Sequence, residues 1–162
     1  MNMKTPRAMP PRSSGFTMVE LMIGVAILGI MAGFAAPAFR DMLVNERVKS
    51  ASFEMIAALT LARSEAVKRN VAVTLTPTSA GTDWAGGWTV VAAGPTTLNT
   101  QGAFSSVIIT GPTSFVYNRS GRSSSATAVT FQIASATGSS TITPRCITMG
   151  TTGQPKSVKG SC

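Results

Sequence analysis

The chain has no histidine. That excludes histidine-based catalytic triads, histidine general bases and histidine-ligated metal sites within it. Only two cysteines are present, Cys146 and Cys162, too few for a four-thiolate zinc site. Charge is scarce as well: 12% of the 162 residues are Asp, Glu, Lys or Arg, about half the usual share. Scarcest of all is negative charge in the second half. All six acids lie between Glu20 and Asp83, and from Trp84 to Cys162 there is none. With no histidine and no paired acids beyond Asp83, acid–base and metal-assisted chemistry has nothing to work with there. No metal or other cofactor is expected, and no catalytic residue is assigned.

What is present is an excess of apolar residues, 44% of the chain, with a mean hydropathy of +0.24. The excess sits at the front. Residues 21–39 read LMIGVAILGIMAGFAAPAF, 19 positions without a charge. As a helix that run spans roughly 28 Å, close to the hydrocarbon thickness of a bilayer. Before it stand Lys4, Arg7 and Arg12 and no acid until Glu20. A basic stretch followed by an apolar one resembles a secretory signal peptide, but three details disagree. The run is longer than a signal core, no small-x-small cleavage site follows it, and Glu20 stands at its leading edge. A carboxylate there is costly unless paired. Either it is a helix-start acid favoured by the helix dipole, or it is held for a partner cation.

The stretch Ser14-Gly15-Phe16-Thr17-Met18-Val19-Glu20-Leu21 resembles the class III signal of type IV pilins and type II secretion pseudopilins. The alternative is a generic membrane anchor with a chance glutamate. The resemblance implies that residues 1–15 are a leader, removed between Gly15 and Phe16 by a prepilin peptidase that also N-methylates Phe16. It implies that Glu20 pairs with the terminal amine of a neighbouring subunit, two opposite charges in low dielectric meeting only in the correct register. Pro37 falls where many pilins place a helix-kinking proline. Loss of the three leader bases lowers the formal net charge from +8 to +5.

Beyond Phe39, residues Val44, Val48, Ala51, Met55, Leu59, Ala62 and Ala66 recur at spacings of three and four, a helix-period stripe. The remaining faces carry most of the charges, with Glu65 and Arg69 four apart in the favourable order. One helix is therefore expected from Phe16 to Arg69, with 16–39 in the membrane or filament core and 40–70 amphipathic. Its end, Ala62-Arg63-Ser64-Glu65-Ala66-Val67-Lys68-Arg69-Asn70, is similar to the H-type minor pseudopilins of type II secretion and the T/U-type minor pilins of type IV pili. Ser64 and Glu65 have no base partner in any nucleophile arrangement and read as packing or solvated residues.

Residues 71–162 are rich in Thr, Ser, Gly and β-branched side chains. Strands are expected at 71–76, 87–93, 107–110, 113–118, 128–135, 140–143 and 145–149. Trp84, Trp88, Phe104, Phe115, Tyr117 and Phe131 are the expected large core or edge fillers. The fold class is α+β: a long helix on a small antiparallel β domain, a pilin-like fold. In the oxidising space that a leader and anchor imply, Cys146 and Cys162 are expected to pair, with two free thiols as the alternative. The resemblance adds that some T/U-type minor pilins carry a comparable C-terminal loop.

Five bases remain in the acid-free half: Arg119, Arg122, Arg145, Lys156 and Lys159. If they converge they make a nucleic-acid surface. Certain T-type minor pilins bind DNA through a Gly-Arg-x-Arg motif in this loop, but the comparable stretch here is Gly153-Gln154-Pro155-Lys156, which lacks both arginines. The blander reading, favoured here, is that scattered positive charge serves solubility and acidic neighbours. The resemblance as a whole implies a subunit that helps initiate a type IV pilus or a type II secretion pseudopilus, with DNA uptake as the alternative role. It implies a single-pass inner-membrane protein with a periplasmic domain. Its partners would be the peptidase–methyltransferase, other minor and major pilins, and the inner-membrane assembly platform.

Overall fold

A long helix leads into eight strands. The computed structural model describes residues 15–162, without the side chains of 35–37. Helix α1 runs Met18–Arg69 without interruption. The strands are β1 (Val73–Pro77), β2 (Trp88–Ala92), β3 (Thr96–Gln101), β4 (Val107–Thr110), β5 (Phe115–Tyr117), β6 (Val129–Ser135), β7 (Arg145–Met149) and β8 (Pro155–Lys159). They form two antiparallel four-stranded sheets, ordered β3-β2-β1-β5 and β4-β6-β7-β8. The chain divides into two compact units, Met1–Ala38 and Phe39–Cys162.

The second unit is built on the expected stripe. Val48, Ala51, Met55, Leu59, Ala62 and Ala66 are fully buried, and Val44 nearly so. They share one core with Leu75, Trp88, Phe131, Ile133 and Ile147 of the sheets. Small side chains at 51, 58, 62 and 66 let the helix lie close, while Met55 and Leu59 fill the space between, each worth about 1.5–3 kcal/mol of burial. Of the six aromatics expected as core or edge fillers, five are buried and Phe104 packs against the core's edge, stacking on Trp88 at 5.5 Å. Trp84 bridges the sheets through an edge-on contact with Phe131, ring centroids 5.0 Å apart.

The helix stops for a local reason. Asn70 adopts φ +55°, and the Val71 amide donates back to the Ala66 carbonyl at 3.3 Å. Asparagine tolerates this left-handed position better than other non-glycine residues, which suits it to close a helix. Just before it, Arg69 and Lys68 both pair with Glu65. The Arg69 hydrogen bond holds the Glu65 carboxyl below its ordinary range.

The strand expectations need several corrections: the first strand begins at Val73 and not at 71, and the fourth is trimmed from 113–118 to Phe115–Tyr117. Residues 140–143 form no strand: the Ser139 and Thr141 hydroxyls donate to Asp41 Oδ2 of the helix at 3.0 and 2.6 Å, and Ile142 turns inward. Side-chain bonding to the helix replaces a ladder there. Strands β3 and β8 were not expected, because both are mostly polar and lie at sheet edges, where neither face needs an apolar pattern. The second expected strand starts one residue late, since Gly87 has φ +97° and cannot extend it.

Candidate functional site

At the start of α1, Thr17 and Glu20 cap each other. The Thr17 amide and hydroxyl donate to Glu20 Oε2 at 2.8 and 2.9 Å, and the Glu20 amide donates to Thr17 Oγ1 at 3.2 Å. This reciprocal pair satisfies donors that a helix start leaves free. It gives the helix-start reading of Glu20 a concrete form. The spacing Thr17-x-x-Glu20 before an apolar run is the sequence signal for this cap. Gly15 lies in the open: a Cβ there meets nothing within 4 Å. Own-chain packing therefore does not demand glycine at 15. The expected kink concerns Pro37, whose side chain is outside the described residues; so is the rest of the leader, residues 1–14.

The apolar run is uncovered. From Met18 to Phe34 its large side chains are 53–82% exposed. The most apolar 18-residue window has a mean hydropathy of 2.2 and is 0% buried.

At the other end of the chain, Cys146 and Cys162 form a disulfide. It carries the tail across the outer face of the second sheet, where the Cys162 amide donates to Gln132 Oε1 at 2.6 Å. Tyr117 ties the β7–β8 hairpin to the first sheet: its buried hydroxyl donates to the Gly153 carbonyl at 2.9 Å. Burial pushes the Tyr117 phenol up to about 12. Gly153 has φ +74°, and a Cβ there would come within 2.5 Å of the Gly121 carbonyl, so only glycine fits.

The five late bases are not gathered in one place. Arg145 and Lys159 are opposite each other across β7 and β8. Lys156 is opposite Thr148, three residues along β8. Arg119 and Arg122 lie in the β5–β6 loop, which the Arg63 guanidinium holds by donating to the Gly121 carbonyl at 3.0 Å. The segment leading to Arg145 is instead held by Asp41. The turn between β7 and β8 nevertheless abuts that loop, Gly153 lying against the Gly121 carbonyl, so Lys156 is toward the Arg119 and Arg122 side while Arg145 and Lys159 sit at the other end of the hairpin.

The model of the type II transport protein GspH family matches residues 51–153. The chain belongs to the GspH family. Within it, a prokaryotic N-terminal methylation motif matches residues 10–36 of this GspH chain. The type IV major fimbrial protein FimA of Dichelobacter nodosus is 56% identical over 34 residues, 21% of either chain. A fimbrial protein of Pseudomonas aeruginosa is 46% identical over 50 residues, 31% of this chain and 32% of its own. The matched part thus spans about a fifth to a third of these curated relatives. The crystal structure of the type IV minor pilin FimU of Pseudomonas aeruginosa superposes with a TM-score of 0.60 at 22% identity, covering 68% of this chain and 87% of that one. The α+β pilin-like fold is therefore shared with a minor pilin.

Proposed function

We propose that this GspH-family chain is a minor pilin or pseudopilin that helps initiate a filament at the inner membrane, a type IV pilus or a type II secretion pseudopilus. In this reading the prepilin peptidase cuts after Gly15 and methylates Phe16. Residues 16–39 anchor the chain in the inner membrane, and residues 40–162 stand in the periplasm. Other pilins and the assembly platform are its partners, and its role is structural, not enzymatic. The observation that carries the reading is the uncharged helix half that its own chain leaves exposed. Such a surface must be covered by lipid or by other apolar helices, and a filament subunit meets both in turn.

Glu20 then has two successive duties. Before cleavage it caps its own helix through Thr17. After cleavage Phe16 bears a free amine, and the Glu20 carboxylate is the one acid available to a neighbour's amine within the apolar half. Opposite charges in so dry a setting attract strongly only in register. Glu20→Ala is expected to leave leader removal intact and to reduce the amount of this subunit recovered in sheared filaments by tenfold or more. Recovery at the wild-type level contradicts the assembly role. The DNA-uptake role draws no support from the turn at Gly153, where Gln154-Pro155-Lys156 lacks both arginines of the Gly-Arg-x-Arg motif.

A further inference from the structure

We propose that the cleft beside the first turns of the soluble helix half binds the phosphate of an anionic membrane lipid, held by Arg40 and Arg47. The inference rests on residues 21–39 being immersed in the bilayer. The cleft, about 420 Å³, lies wholly within the second unit and is lined by Arg40, Leu43, Val44, Arg47, Ser106 and Thr137. Arg40 and Arg47 are seven residues apart, which puts them within about 20° of one face and roughly 10 Å apart along the axis. Among the described residues neither has an acidic partner.

Three observations select the ligand. The first is position: Arg40 is the first charge after the 19-residue apolar run, so it reaches the headgroup level as soon as the helix leaves the hydrocarbon. The second is company. Phe39, Met42 and Leu43 are 62%, 62% and 45% exposed, interleaved with the exposed Arg40 and Arg47. Apolar and cationic side chains sharing one helical surface suit the boundary between headgroups and acyl chains. The third is chemistry. The Arg47 guanidinium donates to Ser106 Oγ at 3.1 Å, so the Ser106 hydroxyl is oriented as an acceptor toward Arg47 and its own proton is left to donate to a phosphate oxygen. Ser106 is held at φ +62°, an uncommon conformation for serine, on the wall facing the helix. One acid, Asp41, also borders the cleft. Its Oδ2 accepts from Ser139 and Thr141, which turns its charge toward the β6–β7 loop. Two arginines and one aspartate leave a single positive charge, matched to a monoanionic phosphodiester and poorly matched to a polyanion.

The test uses the full chain in nanodiscs of equal phosphatidylcholine and phosphatidylglycerol, with native mass spectrometry of the lipid retained after transfer to detergent. Each cation near an anionic surface favours it by about fivefold, so the site's single net positive charge is expected to retain phosphatidylglycerol over phosphatidylcholine by roughly fivefold. The double variant Arg40→Gln, Arg47→Gln is expected to lose that preference, with an unchanged circular dichroism spectrum. The double variant Arg119→Gln, Arg122→Gln is expected to keep it. Equal preference in the wild type and the Arg40, Arg47 variant overturns the proposal. So does displacement of the retained lipid by millimolar inorganic phosphate, which marks a site for free anions, or retention that appears only with a second protein chain bound. Carbonate extraction of the wild-type chain from vesicles separates the two readings. A chain that is stripped off refutes the membrane reading and this inference with it; a chain that stays but shows no lipid preference refutes this inference alone.

Discussion

Tyr117 is the residue on which pH acts most directly. Its phenol is buried and donates to Gly153, so the folded state resists its ionisation. The folded value near 12 lies above the ordinary value of 10.0. Below pH 10 both the folded and unfolded states carry the proton, and Tyr117 contributes no pH dependence. Between about 10 and 12 the unfolded chain releases it and the folded one keeps it, so stability falls as pH rises through that window. Urea titrations of the detergent-solubilised chain at pH 9 and pH 11 should show a drop that is smaller in Tyr117→Phe. An equal drop in both proteins contradicts the assignment. Glu65 acts at the other end of the scale with the opposite sign. Its carboxyl is held low by Arg69, so its contribution is present above the ordinary carboxylate range and is lost as pH falls below it.

At the scale of elements, the soluble half of α1 has two unlike faces. Leu59 is fully buried and Phe53 is 67% exposed. Leu59→Ala is expected to cost about 2–5 kcal/mol in chemical denaturation, and Phe53→Ala to stay within about 0.5 kcal/mol. Comparable losses at both positions contradict the packing. The hairpin β7–β8 depends on a different device. The Cys146–Cys162 bridge closes a sequence separation of 16, worth about 3 kcal/mol by loop entropy. Cys162→Ser should lower stability by that order, and reductant should affect only the wild type. A variant as stable as the oxidised wild type contradicts the clamp.

These elements differ in how plainly the sequence displays them. The helix was legible because its stripe from Val44 to Ala66 has a single period over six turns, and burial follows it residue by residue. Strands β4 and β7 were legible at their full bounds because apolar and β-branched residues mark them densely. Strands β3 and β8 were not: TTLNTQ and PKSVK show no apolar alternation, and only pairing to β2 and β7 makes them strands. The false strand at 140–143 has suitable residues, but Asp41 competes for the Thr141 hydroxyl and that of the adjoining Ser139 across a separation of 98 to 100 positions. No local pattern reveals such a partner. The same limit hid the Arg47–Ser106 contact that builds the cleft.

At the scale of the molecule, two properties coexist in one chain. A packed α+β domain of the GspH family supplies a rigid body, and an apolar helix half supplies a surface that its own chain leaves bare. The short segment between charge and hydrocarbon, Gly15 to Glu20, is where the proposed processing converts a membrane protein into a filament subunit. Gly15 is unconfined by packing, so Gly15→Ala changes what a peptidase meets and nothing in the fold. The most direct measurement is the mass of the N-terminal peptide of the chain, recovered from membranes of cells that carry a prepilin peptidase. The expected result is a terminus at N-methylated Phe16 in the wild type and an uncut leader in Gly15→Ala. A wild-type chain that begins at Met1, or at any residue other than Phe16, contradicts it.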